Sequence, residues 1–147
     1  MSRRSLINEW KNAHEGKFIS VTNKVKSIHP IVDKIVRNLA QIDIIQYIRV
    51  GHDYLIASNE TTNKGRFKTP VSTLGHPSAV GVYLILDFAC NSIQFFEMTS
   101  AIKGYGGKMV DAVMRDLPKE WEAAIVMDWS GGFWEHMAKK YKNIVIC

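Results

Sequence analysis

The residues with the clearest capacity for chemistry form one glycine-rich turn in the second half of the chain. Gly104, Gly106 and Gly107 follow a β-rich run and stand directly before a segment with helical periodicity. Glycine lets a backbone turn tightly and approach a ligand, because no Cβ intervenes. The first amides of a helix have no partner within the helix, so such a turn can hold a phosphate. Lys103 and Lys108 flank the turn and add positive charge.

Taken alone, the glycine turn is equally typical of a tight structural connection. It lacks the Gly-Lys-Ser/Thr ending of a P-loop and the third glycine spacing of a dinucleotide-binding turn. The flanking residues are therefore needed to distinguish a phosphate-binding turn from a purely structural one.

Those neighbours carry a resemblance to a known family. The run Phe95-Phe-Glu-Met-Thr-Ser-Ala-Ile-Lys-Gly-Tyr-Gly106 resembles motif A of the GNAT acetyltransferases, in which a strand leads into Gln/Arg-x-x-Gly-x-Gly/Ala and then a helix. Downstream, Asp-Trp-Ser-Gly-Gly-Phe-Trp-Glu-His-Met at 128–137 stands where that family often has Asn-x-x-Ala-x-x-Phe-Tyr-Glu-Lys. The resemblance covers roughly residues 79–147 and implies a domain that uses acetyl-CoA.

The resemblance also implies a role for each part of the site. The backbone of Phe96 and Met98 would pair with the pantetheine arm like an added strand. The strands that carry Phe96 and Met127 would separate, so that an amine can attack the thioester between them without a metal. The resemblance also implies that the glycine turn binds the diphosphate of acetyl-CoA, through Lys103, Gly104, Tyr105, Gly106, Gly107 and Lys108. Ser130 and Trp134, further along the chain, are the other implied contacts to the cofactor.

The chain departs from the family pattern at two functional positions. Ala101 replaces the family's Gln or Arg, and Trp134 replaces the tyrosine that often protonates the leaving thiolate. An indole cannot donate that proton as a phenol does. Tyr105 is our candidate for the catalytic acid, with Tyr141, His136 and water as alternatives. Glu97 and Asp87 lie on the central predicted strands, and either could act as a general base through water. Glu97 is our candidate, because it adjoins the cofactor-binding stretch, and Asp87 is the alternative.

Bulk properties restrict the class of protein. The 147 residues, of which 46% are hydrophobic and 22% charged, suit a single globular domain over 1–147. No apolar run is long enough to span a membrane, and the first residues lack a secretory signal, so we expect a cytoplasmic protein. Five histidines and two cysteines show no metal-ligand spacing, and no metal is expected.

Positive charge is concentrated in the first 40 residues. They hold eight lysines and arginines against three acids, which accounts for the whole net charge of +5. A solvated surface explains this, but it also tilts the expected acceptor toward an anionic macromolecule such as RNA, or toward a protein. Two other functions stay open, a non-catalytic GNAT-like module and a basic nucleic-acid-binding α/β protein. The oligomeric state also stays open, a homodimer included.

The hydrophobic periodicity predicts the elements that position the turn. Together they predict an α/β fold with a GNAT-like mixed, mostly antiparallel sheet that helices flank on both faces. The predicted helices are 5–14, a segment capped by Ser27 that continues to Leu39, 109–117 and 133–141. The predicted strands are 18–22, one or two within 43–58 broken at Gly51, 79–90, 92–99, 123–127 and 143–147, with a loop over 59–78. Segment 43–58 is ambiguous, since it could also extend the preceding helix, but strands are preferred.

Overall fold

The computed structural model describes residues 3–14, 16–59, 80–125 and 132–146. Four helices and seven strands lie within these ranges. The helices are α1 (Arg3–Asn12), α2 (Pro30–Ala40), α3 (Tyr105–Met114) and α4 (Phe133–Lys140), and the strands are β1 (Phe18–Val21), β2 (Tyr47–Val50), β3 (Tyr54–Ser58), β4 (Val80–Asp87), β5 (Ser92–Ser100), β6 (Glu122–Ile125) and β7 (Ile144–Ile146).

The seven strands form one mixed sheet in which the strands follow one another in chain order. Pairs β2–β3, β3–β4 and β4–β5 are antiparallel, whereas β1–β2, β5–β6 and β6–β7 are parallel. Each parallel pair is joined by a helix, which supplies the long crossover that parallel strands need. The mixed α/β fold is confirmed: three of the described strand pairs are antiparallel and three are parallel, and the antiparallel pairs include the two longest.

Helices α2, α3 and α4 pack on one face of the described sheet, whereas helices were expected on both faces. Asn38 of α2 donates to the carbonyl of Ala112 in α3, and the rings of Phe95 in β5 and Trp134 in α4 lie 4.9 Å apart. The strand residues that point toward these helices are buried across the whole sheet, and they include Ile48, Val50, Leu55, Ala57, Val82, Leu84, Ile93, Ala123 and Ile144.

The opposite face, here called the open face, is only partly buried. Ile56, Tyr83 and Ile85 alternate with the core residues of β3 and β4 and keep some exposure. The run Val-Gly-Val-Tyr-Leu-Ile-Leu in β4 is nevertheless apolar on both faces.

Helix α2 was correctly placed, but its cap was not. Its apolar positions follow the helical repeat and are buried. The residue that caps it is His29 rather than the predicted Ser27, and the His29 side chain accepts a hydrogen bond from the amide of Ile31. Pro30 occupies the first turn, where no amide donor is needed.

Segment 43–58, for which one or two strands were preferred over a helix, forms the two strands β2 and β3. The chain reverses at Gly51 between β2 and β3. A Cβ at Gly51 would lie 2.1 Å from the ring of Tyr54, so the close approach of this ring requires glycine. The predicted loop over 59–78 falls almost wholly outside the described residues, as do Met127 and Ser130.

Candidate functional site

Strand β5 is paired differently along its two halves. Ser92–Gln94 pair with β4 on one side and with β6 on the other. Beyond Gln94, the described residues pair with β4 alone. A β-bulge opposite Tyr83 and Leu84 leaves Phe96 as the extra residue of β5. The second half of β5 therefore has an edge that β6, as described, does not cover.

A pocket of about 900 Å³ lies beside this edge, within the range usual for ligand sites. It is bounded by the second half of β5, by the glycine turn and by the inner side of α4. Its lining residues are Phe95, Phe96, Glu97, Met98, Ser100, Lys103, Gly104, Gly106, Gly107, Phe133, Trp134, His136, Met137 and Lys140.

The glycine turn presents the start of α3 to this pocket. Gly104 adopts a left-handed φ of 94°, and no side chain caps the helix there. The amide of Lys108 is the first to bond four residues back, to the carbonyl of Gly104 at 3.4 Å. Gly106 and Gly107, which line the pocket, therefore lie in the part of the helix whose amides have no helical partner. A Cβ at Gly107 would meet nothing within 4 Å, so the space in front of it is open.

The charged residues of the lining are mostly cationic. Lys103 lies at the glycine turn and Lys140 on α4, with Glu97 on β5 as the acidic residue. The ammonium of Lys140 contacts Asp111 of α3 at 3.0 Å and so ties the two helices together. The lining can accordingly receive an anionic group at its α3 and α4 side.

Asp111 is also the partner of Tyr141, whose hydroxyl donates to it at 2.5 Å. Partial burial acts to raise the pKa of Asp111, but the hydrogen bonds from Tyr141 and Lys140 lower it overall. Burial, with the bond to Asp111, raises the pKa of Tyr141 to about 12. Tyr141 is thus a structural donor between α3 and α4, and it does not line the pocket.

The structure gathers eight of the candidate residues around one pocket. These are Phe96, Glu97, Met98, Lys103, Gly104, Gly106, Gly107 and Trp134. The indole of Trp134 is 6% exposed and packs on the rings of Phe95 and Phe133. Asp87, the alternative base, lies at the other end of β4 and accepts hydrogen bonds from the amides of Ala89 and Cys90.

Two candidates do not line the pocket, and one cannot be placed. The hydroxyl of Tyr105 donates to Asp43 at 2.9 Å, and the ammonium of Lys108 lies 4.7 Å from the centre of the Tyr105 ring. The bond to Asp43 raises the pKa of Tyr105, so this phenol holds its proton more tightly than usual. Ser130 lies outside the described residues.

The face of α4 that lines the pocket was only partly predicted from the sequence. Phe133, His136, Met137 and Lys140 all line the pocket, and they are spaced as one face of a helix. The sequence predicted a helix over 133–141 and offered His136 as one alternative acid, but it did not bring this face together. A helical wheel that included Lys140 would have identified the complete face.

Comparison with known proteins identifies no relative: no family model, no curated protein and no solved structure matches the chain. In the described parts of the chain, no cluster of histidine, cysteine, aspartate and glutamate is arranged to hold a metal. None of the described helices is both long and apolar enough to cross a bilayer.

Proposed function

We propose that this pocket binds acetyl-CoA and that the chain transfers the acetyl group to an amine. The observation that carries the proposal is the junction of three features in one cavity. The uncapped start of α3 at Gly106 and Gly107, the edge of β5 that the described part of β6 leaves unpaired, and the side chain of Lys103 all border the same 900 Å³ space. Each feature matches one part of the ligand.

The diphosphate suits the glycine turn. Unpartnered amides at Gly106 and Gly107 donate to phosphate oxygens, and the positive end of the helix dipole favours the negative charge. Lys103 adds a cation at the same turn. Open space in front of Gly104 and Gly107 lets the phosphate approach the backbone closely.

The pantetheine arm suits the half of β5 that the described part of β6 does not cover. Its amide groups can pair with the backbone between Phe96 and Met98 in the way that a further strand would. The apolar side of the pocket, which includes Phe95 and Trp134, suits the methylene groups of the arm. Bound in this way, the thioester would lie near Glu97, toward the part of the edge where β6 ends.

The reaction that follows is a direct acyl transfer. A neutral amine nitrogen attacks the thioester carbonyl carbon, a C–N bond forms, the C–S bond breaks and the thiolate leaves. An ammonium acceptor must first give one proton to Glu97 or to water, and after attack the nitrogen gives a second proton to water as the amide forms. His136 lines the pocket and can protonate the thiolate, a role that Trp134 cannot fill.

The test combines binding and turnover. In the wild-type protein, acetyl-CoA at 100 times its Kd should add about 2.7 kcal/mol to the free energy of unfolding, which a thermal-shift assay detects. Gly107→Val should remove this shift, because its side chain enters the open space before the turn. Gly107→Ala is the matched control and should retain most of the shift. Thiol release over a panel of amines then measures transfer.

A non-catalytic CoA-binding module is the second candidate function. The buried indole of Trp134 at the position of the family's tyrosine favours it, since that position supplies no proton. The two functions differ in a single result. A thermal shift with acetyl-CoA and no thiol release with any amine would support the module, whereas absence of both would refute the acetyl-CoA site itself.

A further inference from the structure

The lysines and arginines of the basic first 40 residues are used in different ways. Arg37 pairs with Asp33 at 2.9 Å, and the ammonium of Lys17 donates to three backbone carbonyls. Lys24 and Lys26 lie in the loop between β1 and α2. In the described parts of the chain, the side chains of these two lysines form neither an ion pair nor a hydrogen bond. Their charge is therefore available to a ligand.

Both lysines border a second pocket of about 150 Å³, here called the basic pocket. It lies between the loop that joins β1 to α2, the turn that joins β2 to β3, and Phe88, which follows β4. The strands β1 and β2 are parallel, and this pocket lies outside their carboxyl ends. Sheets of α/β proteins often bind ligands at such a position.

The basic pocket is separate from the candidate site. The two share no lining residue among those described. Phe88 follows the last residue of β4, whereas Ser100 of the candidate site pairs with the first residue of that strand, Val80. The eight residues of β4 extend over about 23 Å from first to last. One small ligand therefore cannot occupy both pockets.

The rim of the basic pocket carries positive charge. Lys24 and Lys26 supply two ammonium groups, and none of the described lining residues is acidic. The acidic residues of the adjoining turns have other partners: Asp53 contacts His52 at 3.6 Å, and Asp87 accepts hydrogen bonds from two amides of its own turn. The rim therefore attracts an anion.

His29 adds a hydrogen-bond donor to this rim. Its Nδ1 atom accepts from the amide of Ile31, so the neutral ring carries its proton on Nε2. The same bond satisfies the first amide of α2, because Pro30 has none. The attraction for an anion thus comes from side chains and not from the N-terminus of the helix.

The floor of the basic pocket is apolar and about one ring in size. Val25, Val32 and Val50 line it and are buried. An apolar cavity of about 150 Å³ can hold a benzene ring, so a nucleotide is too large for this one. The rings of His29 and Phe88, 4.6 Å apart, form one wall, and aromatic rings pack favourably on one another.

We infer that the basic pocket binds a small aromatic anion. The ring of this ligand lies on the apolar floor beside Phe88, and its carboxylate or phosphate group lies at Lys24 and Lys26. The site is additional to the proposed acetyl-CoA site and does not depend on it. It gives part of the basic first 40 residues a function other than contact with a macromolecule.

The first experiment separates the charge of the ligand from its ring. Benzoate has both, benzamide has the ring without the charge, and acetate has the charge without the ring. In an NMR titration of the full chain, benzoate should shift the amide signals of Ile28 and Gly51, which line the basic pocket. It should bind about fivefold more tightly than benzamide, through two exposed ion pairs, and at least tenfold more tightly than acetate, which buries no ring.

Phenyl phosphate replaces the carboxylate of benzoate by a phosphate, and the tighter of these two ligands identifies the anionic group. Equal Kd values for benzoate and benzamide would overturn the role of the lysines. Equal Kd values for benzoate and acetate would overturn the role of the apolar floor. No shift at Ile28 and Gly51 with either aromatic anion would overturn the site.

The second experiment removes the charges of the protein. Lys24→Gln and Lys26→Gln should each weaken benzoate binding about two- to threefold, as loss of one exposed ion pair does, and should leave benzamide binding unchanged. Lys34→Gln is the matched control, because Lys34 is an exposed lysine of α2 that does not line the basic pocket. Equal weakening in Lys34→Gln would show general attraction to a basic surface and would overturn the inference.

The two sites are distinguished by competition. The three lysine variants should keep the wild-type Kd for acetyl-CoA, and saturating acetyl-CoA should not displace benzoate from the basic pocket. Displacement would show that benzoate occupies the candidate site and would refute a second site. Benzoate binding with the expected losses, in a protein that does not bind acetyl-CoA, would refute the proposed function and leave this inference standing.

Discussion

The N-termini of α2 and α3 differ in how their first backbone amides are capped. At α2 the Nδ1 atom of His29 accepts from the amide of Ile31 at 3.1 Å, and Pro30 has no amide to satisfy. At α3 the capping position is Gly104, which has no side chain to offer, and the next two glycines border a cavity. The N-terminus of α2 is therefore capped by a side chain of the protein, and α2 is here called the closed helix. The N-terminus of α3 has no side-chain cap, and α3 is here called the open helix.

This difference indicates which helix is structural and which can serve a ligand. Unpartnered amides are costly when buried, so a helix start without a cap needs water or a ligand as its partner. Helix α4 supports the same interpretation, because it too begins after a left-handed glycine, Gly132, with no side-chain cap. Its first residue, Phe133, lines the same pocket. Both glycine-capped helices therefore start at the candidate site.

The largest effect should come from the core of the closed helix. Leu39 of α2 is 0% exposed, so Leu39→Ala should lower the free energy of unfolding by about 2–5 kcal/mol. Urea denaturation measures this loss. If α2 is purely structural, the folded variant should bind acetyl-CoA with wild-type affinity, and a weaker Kd under folding conditions would break the division between the two helices.

The next effect concerns the cap of the open helix. Gly104 has a φ of 94°, which other residues adopt only with strain, so Gly104→Ala should cost about 1–3 kcal/mol of stability. It should also weaken acetyl-CoA binding, because the amides behind it move.

Gly107→Ala is the matched control for this change, because its Cβ meets open space within an ordinary helical turn. It should be neutral or add up to about 1 kcal/mol, as alanine usually does in a helix. A Gly104→Ala variant as stable as Gly107→Ala would show that the left-handed turn is not required.

The same two helices show how far the sequence could be interpreted. Apolar spacing was enough to predict α2, because Ile31, Ile35 and Leu39 repeat with the helix and are buried. The cap was wrong because serine is the common choice, whereas here the chain continues for two more residues before histidine takes the role. Which polar group reaches an amide depends on the course of the chain, which residue preference alone does not specify.

At the candidate site, residues close together in the sequence could be predicted to share the pocket, whereas contacts between distant elements could not be predicted. The glycine turn and the β5 residues are contiguous, so their proximity in the pocket followed from the chain itself. Lys140 and His136 join the pocket only because α4 lies beside α3, an arrangement with no local signal. Likewise, the hydrogen bond from Tyr105 to Asp43 joins residues that are 62 positions apart in the sequence. It engages the phenol that sequence alone had assigned to the active site.

A smaller effect should follow from removal of the α2 cap. His29→Ala leaves the amide of Ile31 without its acceptor and should cost about 1 kcal/mol, measured by urea denaturation. Acetyl-CoA binding should not change. Asparagine is a good N-cap, so His29→Asn should recover part of the loss. Equal losses in the two variants would instead assign the effect to the His29 ring, which packs on Phe88 at 4.6 Å.

The smallest effect concerns Tyr105, and it decides whether this phenol belongs to the open helix as a catalyst or as a support. Its hydrogen bond is the largest cause of the lowered pKa of Asp43. A carboxyl whose pKa is lower in the folded state stabilises the protein above its unfolded-state pKa, and the contribution is lost as the pH falls through the folded-state pKa. In Tyr105→Phe, the pKa of Asp43 should therefore rise toward its ordinary value, which a carbon-detected NMR titration of the carboxyl measures.

Turnover gives the second half of this test. If Tyr105 only holds Asp43, Tyr105→Phe should keep the wild-type kcat for thiol release while the pKa of Asp43 rises. Tyr141→Phe is the matched control, since it removes a phenol bound to Asp111 and should raise the pKa of Asp111 without affecting Asp43. A large fall in kcat for Tyr105→Phe with an unchanged Asp43 pKa would return Tyr105 to the pocket as the acid. It would also mean that the bond to Asp43 is not maintained in the working protein.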